Sequence, residues 1–174
     1  MRLQRDFFTR DALKVAPELL GKSLVRRFND TISEKYLITE VEAYCGEEDL
    51  ACHASKGRTT RTEIMYHNGG LVYVYLIYGM YWMLNIVTSV NEIPQAVLIR
   101  GIKGFNGPGK LTKKLNIDKS FYGEDLTNSD RIWIENIEGL NDLKYKTTPR
   151  IGIDYAGEWK HKPWRFILSE KSDH

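Results

Sequence analysis

The clearest periodicity in the chain lies between Tyr36 and Tyr44, where the residues alternate as they do in a strand. That spacing puts Tyr36, Ile38, Glu40, Glu42 and Tyr44 on one face, and Leu37, Thr39, Val41 and Ala43 on the other. Two carboxylates thus share one side of a sheet. Upstream, residues 11–20 read as a helix, with Pro17 opening a second short turn and Gly21 as its stop. A strand follows to about Phe28 and turns at Asn29-Asp30.

The run from Leu71 to Val90 carries no formal charge and is long enough to span a bilayer. Its tyrosines, at 73, 75, 78 and 81, are spread along it rather than gathered at the ends, and Gly79 and Asn85 interrupt it. Two buried strands joined near Tyr78-Gly79-Met80 fit better than a membrane span. Further strands are expected at 95–101, 131–135, 150–154 and 164–168. Gly107-Pro108 opens a short helix with Leu111 and Leu115 inward and Lys110, Lys113 and Lys114 in solvent. Residues 45–70 are polar and read as a long surface connection with one helical turn, a kind of segment more often functional than idle. The pattern predicts one α+β domain over residues 1–174, built on a curved, largely antiparallel sheet with short flanking helices.

Charge narrows the functional classes. Twenty-five Lys and Arg against 23 Asp and Glu leave a net charge of +2, so the chain is no generic polycation. DNA binding would require basic side chains gathered on one face. Cys45 and Cys52 make no disulfide framework and no four-thiolate cluster, and with His53 they match no zinc spacing. The first residues hold no apolar signal core, so an intracellular, reducing compartment is expected.

Three groups of residues could carry chemistry. Of Glu40 and Glu42, either could be a strand-face acid paired with an arginine, or a general base whose pKa a dry pocket raises. Periodicity leaves both open. The tyrosines of 71–81 are mostly core, yet aromatic faces beside a carboxylate also suit a pocket that stacks a flat base. The helix at Pro108, with Lys110, Lys113 and Lys114, is a candidate phosphate site. For His53 the ordinary reading is a structural hydrogen bond.

At Thr39-Glu40-Val41-Glu42-Ala43-Tyr44, Glu48-Asp49 and His53, the chain resembles the alkyladenine (3-methyladenine) DNA glycosylase family. The likeness continues through Tyr73-Val74-Tyr75-Leu76-Ile77-Tyr78-Gly79-Met80-Tyr81, Asn85 and Val97-Leu98-Ile99-Arg100. It resumes at Gly107-Pro108-Gly109-Lys110-Leu111, Arg150-Ile151-Gly152 and Ala156-Gly157-Glu158-Trp159. The resemblance implies a fold like the C-terminal domain of formyltransferases, and monofunctional excision of alkylated or deaminated purines from duplex DNA. It implies Glu42 as the base that activates water, with Arg100 and the Ile151 carbonyl helping to hold that water. Tyr44, Ala51, His53 and Tyr75 would surround the flipped base, and Asn85 would reject the 2-amino group of guanine. Tyr78 would fill the vacated stack, flanked by Met80 and Tyr81. No metal, organic cofactor or membrane is implied, and a monomer is expected. The rival readings are a non-catalytic nucleic-acid-binding module of the same fold, and a carbohydrate hydrolase using Glu40 and Glu42 as an acid/base pair.

Overall fold

The computed structural model describes residues 1–140 and 142–169; residues 170–174 of the expected domain lie outside them. Among the described residues nine strands run in chain order as β1 (Ser23–Arg27), β2 (Ser33–Tyr44), β3 (Val72–Ile77), β4 (Tyr81–Thr88), β5 (Gln95–Ile102), β6 (Phe105–Asn106), β7 (Ile132–Glu135), β8 (Tyr145–Thr148) and β9 (Arg165–Leu168). All pairings are antiparallel, and the sheet curls into a half-barrel. Strand order is β3-β4-β5-β2-β1-β7. β2 is the spine. β5 runs along one of its edges, while β1 (on residues 33–37) and β9 (on residues 40–42) divide the other.

Three short α-helices among the described residues flank the sheet: α1 (Arg5–Phe8), α2 (Ala12–Leu19) and α3 (Pro108–Lys114). Asp11 caps α2 by accepting from the Leu13 amide at 2.8 Å. Pro17 lies inside this single helix rather than opening a second turn. Burial of Val15, Ala16 and Leu19, with α2 packed on β2 and β5, holds the helix across the bond that Pro17 cannot make. In α3, Leu111 and Leu115 face the core as their spacing predicts.

The uncharged run from Leu71 to Val90 is the β3–β4 hairpin. Its β4 half is buried from Met83 onward because both faces are covered. Leu84 and Ile86 join the main core with Val41, Ile99 and Leu111, while Val87 joins Tyr73, Ala96, Cys52 and Met65 in a second cluster under the 45–70 connection. A strand covered on both sides reads as a continuous apolar stretch. No helix among the described residues is long and apolar enough to cross a membrane.

Two departures from the expected pattern shape the site. First, the β2–β5 register shifts on either side of Glu40. Ile38 pairs with Ile102, Glu40 with Gly101, and Val41 with Ile99, leaving Thr39 and Arg100 as the unpaired residues of two compensating bulges. Each bulge reverses the alternation, so Ile38 joins Val41 and Ala43 in the core instead of sharing the carboxylates' face. The same reversal places both Ile99 and Ile102 in the core and turns Arg100 toward Glu40 and Glu42. Gly101 makes this possible: a Cβ there would lie 2.9 Å from Thr39 Oγ1. Second, residues 150–154 form no strand. β8 occupies 145–148 and Pro149 ends its ladder, so Arg150–Ile153 run as an open loop into 3-10 turns over Asp154–His161.

Candidate active site

Glu42 has no solvent exposure. Its Oε1 accepts from the Tyr44 hydroxyl at 2.9 Å and from Arg100 Nη1 at 3.4 Å, and its Oε2 accepts from the Ile151 amide at 2.7 Å. A carboxylate offers about four acceptor positions, so one remains for a further donor. Burial raises the Glu42 pKa above the ordinary carboxylate value, while Arg100, the Ile151 amide and Tyr44 pull it back. Glu40, two residues away, sits differently: it bridges Arg165 and Arg100. The two environments that periodicity could not tell apart are therefore separated, with the acid between two arginines at 40 and the fully buried one at 42.

In front of Glu42 lies a cleft of about 770 Å³. Glu42 does not itself line it, but its partners Tyr44, Arg100 and Ile151 do. The walls carry Ala51, His53, Tyr75 and Asn85, and the mouth carries Tyr78, Tyr81 and Lys110. His53 packs on Tyr75 with ring centroids 4.4 Å apart, and its Nδ1 lies 2.8 Å from the Tyr73 hydroxyl. Burial, assisted by Arg61 and Lys56, lowers the His53 pKa to about 4, so the ring is neutral at physiological pH. Burial also raises the Tyr44 and Tyr75 hydroxyls, which therefore stay protonated. Asn85 is 3% exposed, and its Nδ2 has no hydrogen-bond partner among the described residues. An unpartnered buried donor beside aromatic walls favours a flat ligand with polar edges.

A second polar pair fixes this arrangement from behind. Arg150 makes a bidentate bridge to Asp49, Nη1–Oδ2 at 2.6 Å and Nη2–Oδ1 at 2.9 Å, with neither side chain exposed. Asp49 also accepts from the amides of Cys45 and Ala51, and Arg150 donates to the Ala43 carbonyl. The guanidinium carbon stands 4.9 Å from the Tyr44 ring centroid. One ion pair thus ties together the end of β2, the start of the 45–70 connection and the loop whose amide holds Glu42.

The family model described as Methylpurine-DNA glycosylase matches residues 6–105 and 103–172. The chain belongs to the methylpurine-DNA glycosylase family. A Natranaerobius thermophilus protein named "Putative 3-methyladenine DNA glycosylase" is 41% identical over 98% of this chain and 96% of its own length. Proteins of the same name from Legionella pneumophila (strain Corby) and Rickettsia felis are 44% and 45% identical, each over 97% of this chain, and over 95% and 93% of their own lengths. The enzyme class is therefore a DNA glycosylase, a hydrolase, with DNA as its substrate.

On the glycosylase, the site residues expected from sequence fall into three groups. Tyr44, Ala51, His53, Tyr75, Tyr78, Tyr81, Asn85, Arg100, Lys110 and Ile151 share the one cleft, with Glu42 behind it. Ile151 touches Glu42 through its backbone amide. Met80 and Lys113 lie outside, lining a smaller depression on the α3 side of Tyr81. Lys114 is drawn away to Glu34, with which it pairs at 3.4 Å. Sequence reasoning missed three contributors: the Asp49–Arg150 pair, Tyr155, which is 69% exposed on the cleft rim, and Arg61, whose guanidinium lies 5.0 Å from the Tyr75 ring centroid. Asp49 and Arg150 do stand in the quoted family motifs, but nothing in either motif announces a partner 101 residues away. Arg61 is one polar residue in a polar loop, with no local signal.

Proposed function

We propose that this glycosylase flips an alkylated or deaminated purine from duplex DNA into the cleft and hydrolyses its N-glycosidic bond with water activated by Glu42. The observation that carries this reading is a fully buried carboxylate, held by three donors, directly behind an aromatic cleft. The free acceptor position of Glu42 takes the attacking water, with Arg100 and the Ile151 carbonyl as its further partners. As the bond to the base breaks, positive charge builds on the sugar, and the nearby carboxylate stabilises it. Tyr44, His53, Tyr75 and the backbone at Ala51 enclose the base, and Asn85 rejects a purine bearing a 2-amino group. Substrates of this kind include 3-methyladenine, hypoxanthine and ethenoadenine. Weakly stacked or mispaired damage flips at lower cost, and the pocket then selects by fit. No metal or organic cofactor enters the scheme.

Tyr78 is the wedge that fills the vacated stack, flanked by Met80 and Tyr81. It is 85% exposed at the hairpin tip, where Tyr78 and Gly79 have φ of 53° and 65° and the Met80 amide bonds to the Ile77 carbonyl at 3.1 Å. This is the tight hairpin turn that favours Asn-Gly, so a tyrosine there is strained. Tyr78→Asn is therefore expected to stabilise the fold by about 0.5 kcal/mol, while losing roughly 1–3 kcal/mol of affinity for a lesion duplex. Thermal melts and binding titrations on the same samples measure both; unchanged affinity would remove the wedge role.

The raised Glu42 pKa gives two linked pH effects. Only the carboxylate removes a proton, so the excision rate climbs with pH through that raised value, and Glu42→Gln lacks this limb. In folding, the native state holds the Glu42 proton to higher pH than the unfolded chain does. The resulting stabilisation is present below the unfolded pKa and disappears as pH rises through the folded one. The melting temperature of Glu42→Gln should accordingly gain on the parent's as pH rises from about 4, where the unfolded carboxyl titrates, through the raised folded value. A gap that stays constant across this range would show that Glu42 does not titrate as proposed.

A further inference from the structure

We propose that Arg61 binds a backbone phosphate of the flipped nucleotide, making the cleft a site for a deoxynucleoside phosphodiester rather than for a base alone. The inference rests on reading the cleft as the pocket for the flipped purine.

The charge inventory of the cleft supports it. Among the described residues three arginine and lysine side chains line it: Arg61, Arg100 and Lys110. Arg100 is engaged by Glu40 and Glu42. Arg61 and Lys110 have no acid within ion-pairing distance among the described residues, and they stand on different elements, Arg61 in the 45–70 connection and Lys110 in the first turn of α3. The contrast within the connection is sharp. Arg58, three positions before Arg61, is neutralised by Glu63 and Glu92 at 2.7 Å each. Arg61 is exposed, stacked on the Tyr75 ring, and left without a counter-ion.

A cation in this place is ill suited to binding the base. An alkylated purine that carries positive charge would be repelled by a guanidinium held against the same aromatic wall. A phosphate beside the flipped nucleotide removes that conflict: it satisfies Arg61 and screens it from the base. Rotating a nucleotide out of the stack turns it about its own backbone, so its flanking phosphates lie at the pocket mouth, where Arg61 and Lys110 are. The planar guanidinium fork also matches phosphate geometry in two hydrogen bonds.

The test uses the full chain carrying Glu42→Gln, which prevents turnover, with and without Arg61→Gln. Duplexes contain one hypoxanthine flanked by ordinary linkages, or by a neutral methylphosphonate on its 5′ or 3′ side. Arg61→Gln is expected to weaken binding to the fully charged duplex about tenfold, and to lower the salt slope by about one. One of the two neutral linkages should weaken the reference protein by a similar factor and erase the difference between the two proteins. A penalty that persists with both neutral linkages, or no penalty at all, overturns the proposal. If the reference protein shows no preference for the lesion duplex over an undamaged one, the pocket reading itself fails, and this inference with it. Arg61 is exposed, so its removal leaves folding intact.

Discussion

Replacing Glu42 with Gln is expected to slow excision at saturating enzyme about a thousandfold, while lesion-duplex affinity stays within a few-fold of the parent's. Gln keeps the shape of the side chain and an acceptor oxygen for the Ile151 amide. It loses the negative charge that faces the developing sugar cation and the capacity to take a proton from water. Glu40 is the control. It is bound by Arg100 and Arg165, so Glu40→Gln disturbs the setting of Arg100 without removing the base. Its rate loss should be about tenfold or less. Single-turnover rates of both variants on a hypoxanthine duplex decide the assignment. A larger loss for Glu40→Gln would exchange the two roles, and full activity of Glu42→Gln would exclude it as the base.

The second large effect is expected at Arg150. Arg150→Met leaves Asp49 as a buried charge without its counter-ion, at a cost of about 3–5 kcal/mol and a fall in melting temperature on the order of 10 °C. Asp49→Leu combined with Arg150→Met removes both charges and should recover much of that loss, because a buried ion pair is often no more stabilising than apolar residues of similar volume. Excision should not recover with it. The pair fixes the loop whose Ile151 amide holds Glu42, and it supports the Tyr44 ring from behind. Melting curves and single-turnover rates on the three proteins separate these roles. A double variant that regains stability and rate together would make the pair a folding device only.

Much of this architecture is legible along the chain because it rests on local periodicity. The β3–β4 hairpin, the buried stripe of α3 and the β2 strand follow from the spacing of apolar residues and from Gly79 and Pro108. The bulges are different in kind. Nothing near Thr39 in β2 marks a break, and the permissive residue, Gly101, lies on the partner strand, where a side chain would meet Thr39. That break decides which face Ile38 and Arg100 take, so plain alternation gives Ile38 the wrong parity although the strand itself is as expected. Residues 150–154 imitate a strand because Ile151 and Ile153 alternate with Arg150 and Gly152; in the structure Arg150 is buried against Asp49 instead. The choice between Glu40 and Glu42 also depends on distant residues, since Arg165 pairs with one and Ile151 with the other. Partners separated by 100 residues or more carry no periodic signature, and burial distinguishes them only after the chain has folded.

The most direct test of the central claim is to incubate the protein with methylated duplex DNA and with a duplex carrying one hypoxanthine, then assay released bases by chromatography and strands after alkali. The account predicts free 3-methyladenine or hypoxanthine, an equal yield of alkali-labile sites, and strands that stay whole without alkali. Tight binding to both duplexes with no base released from either would contradict it and leave a nucleic-acid-binding module without the chemistry.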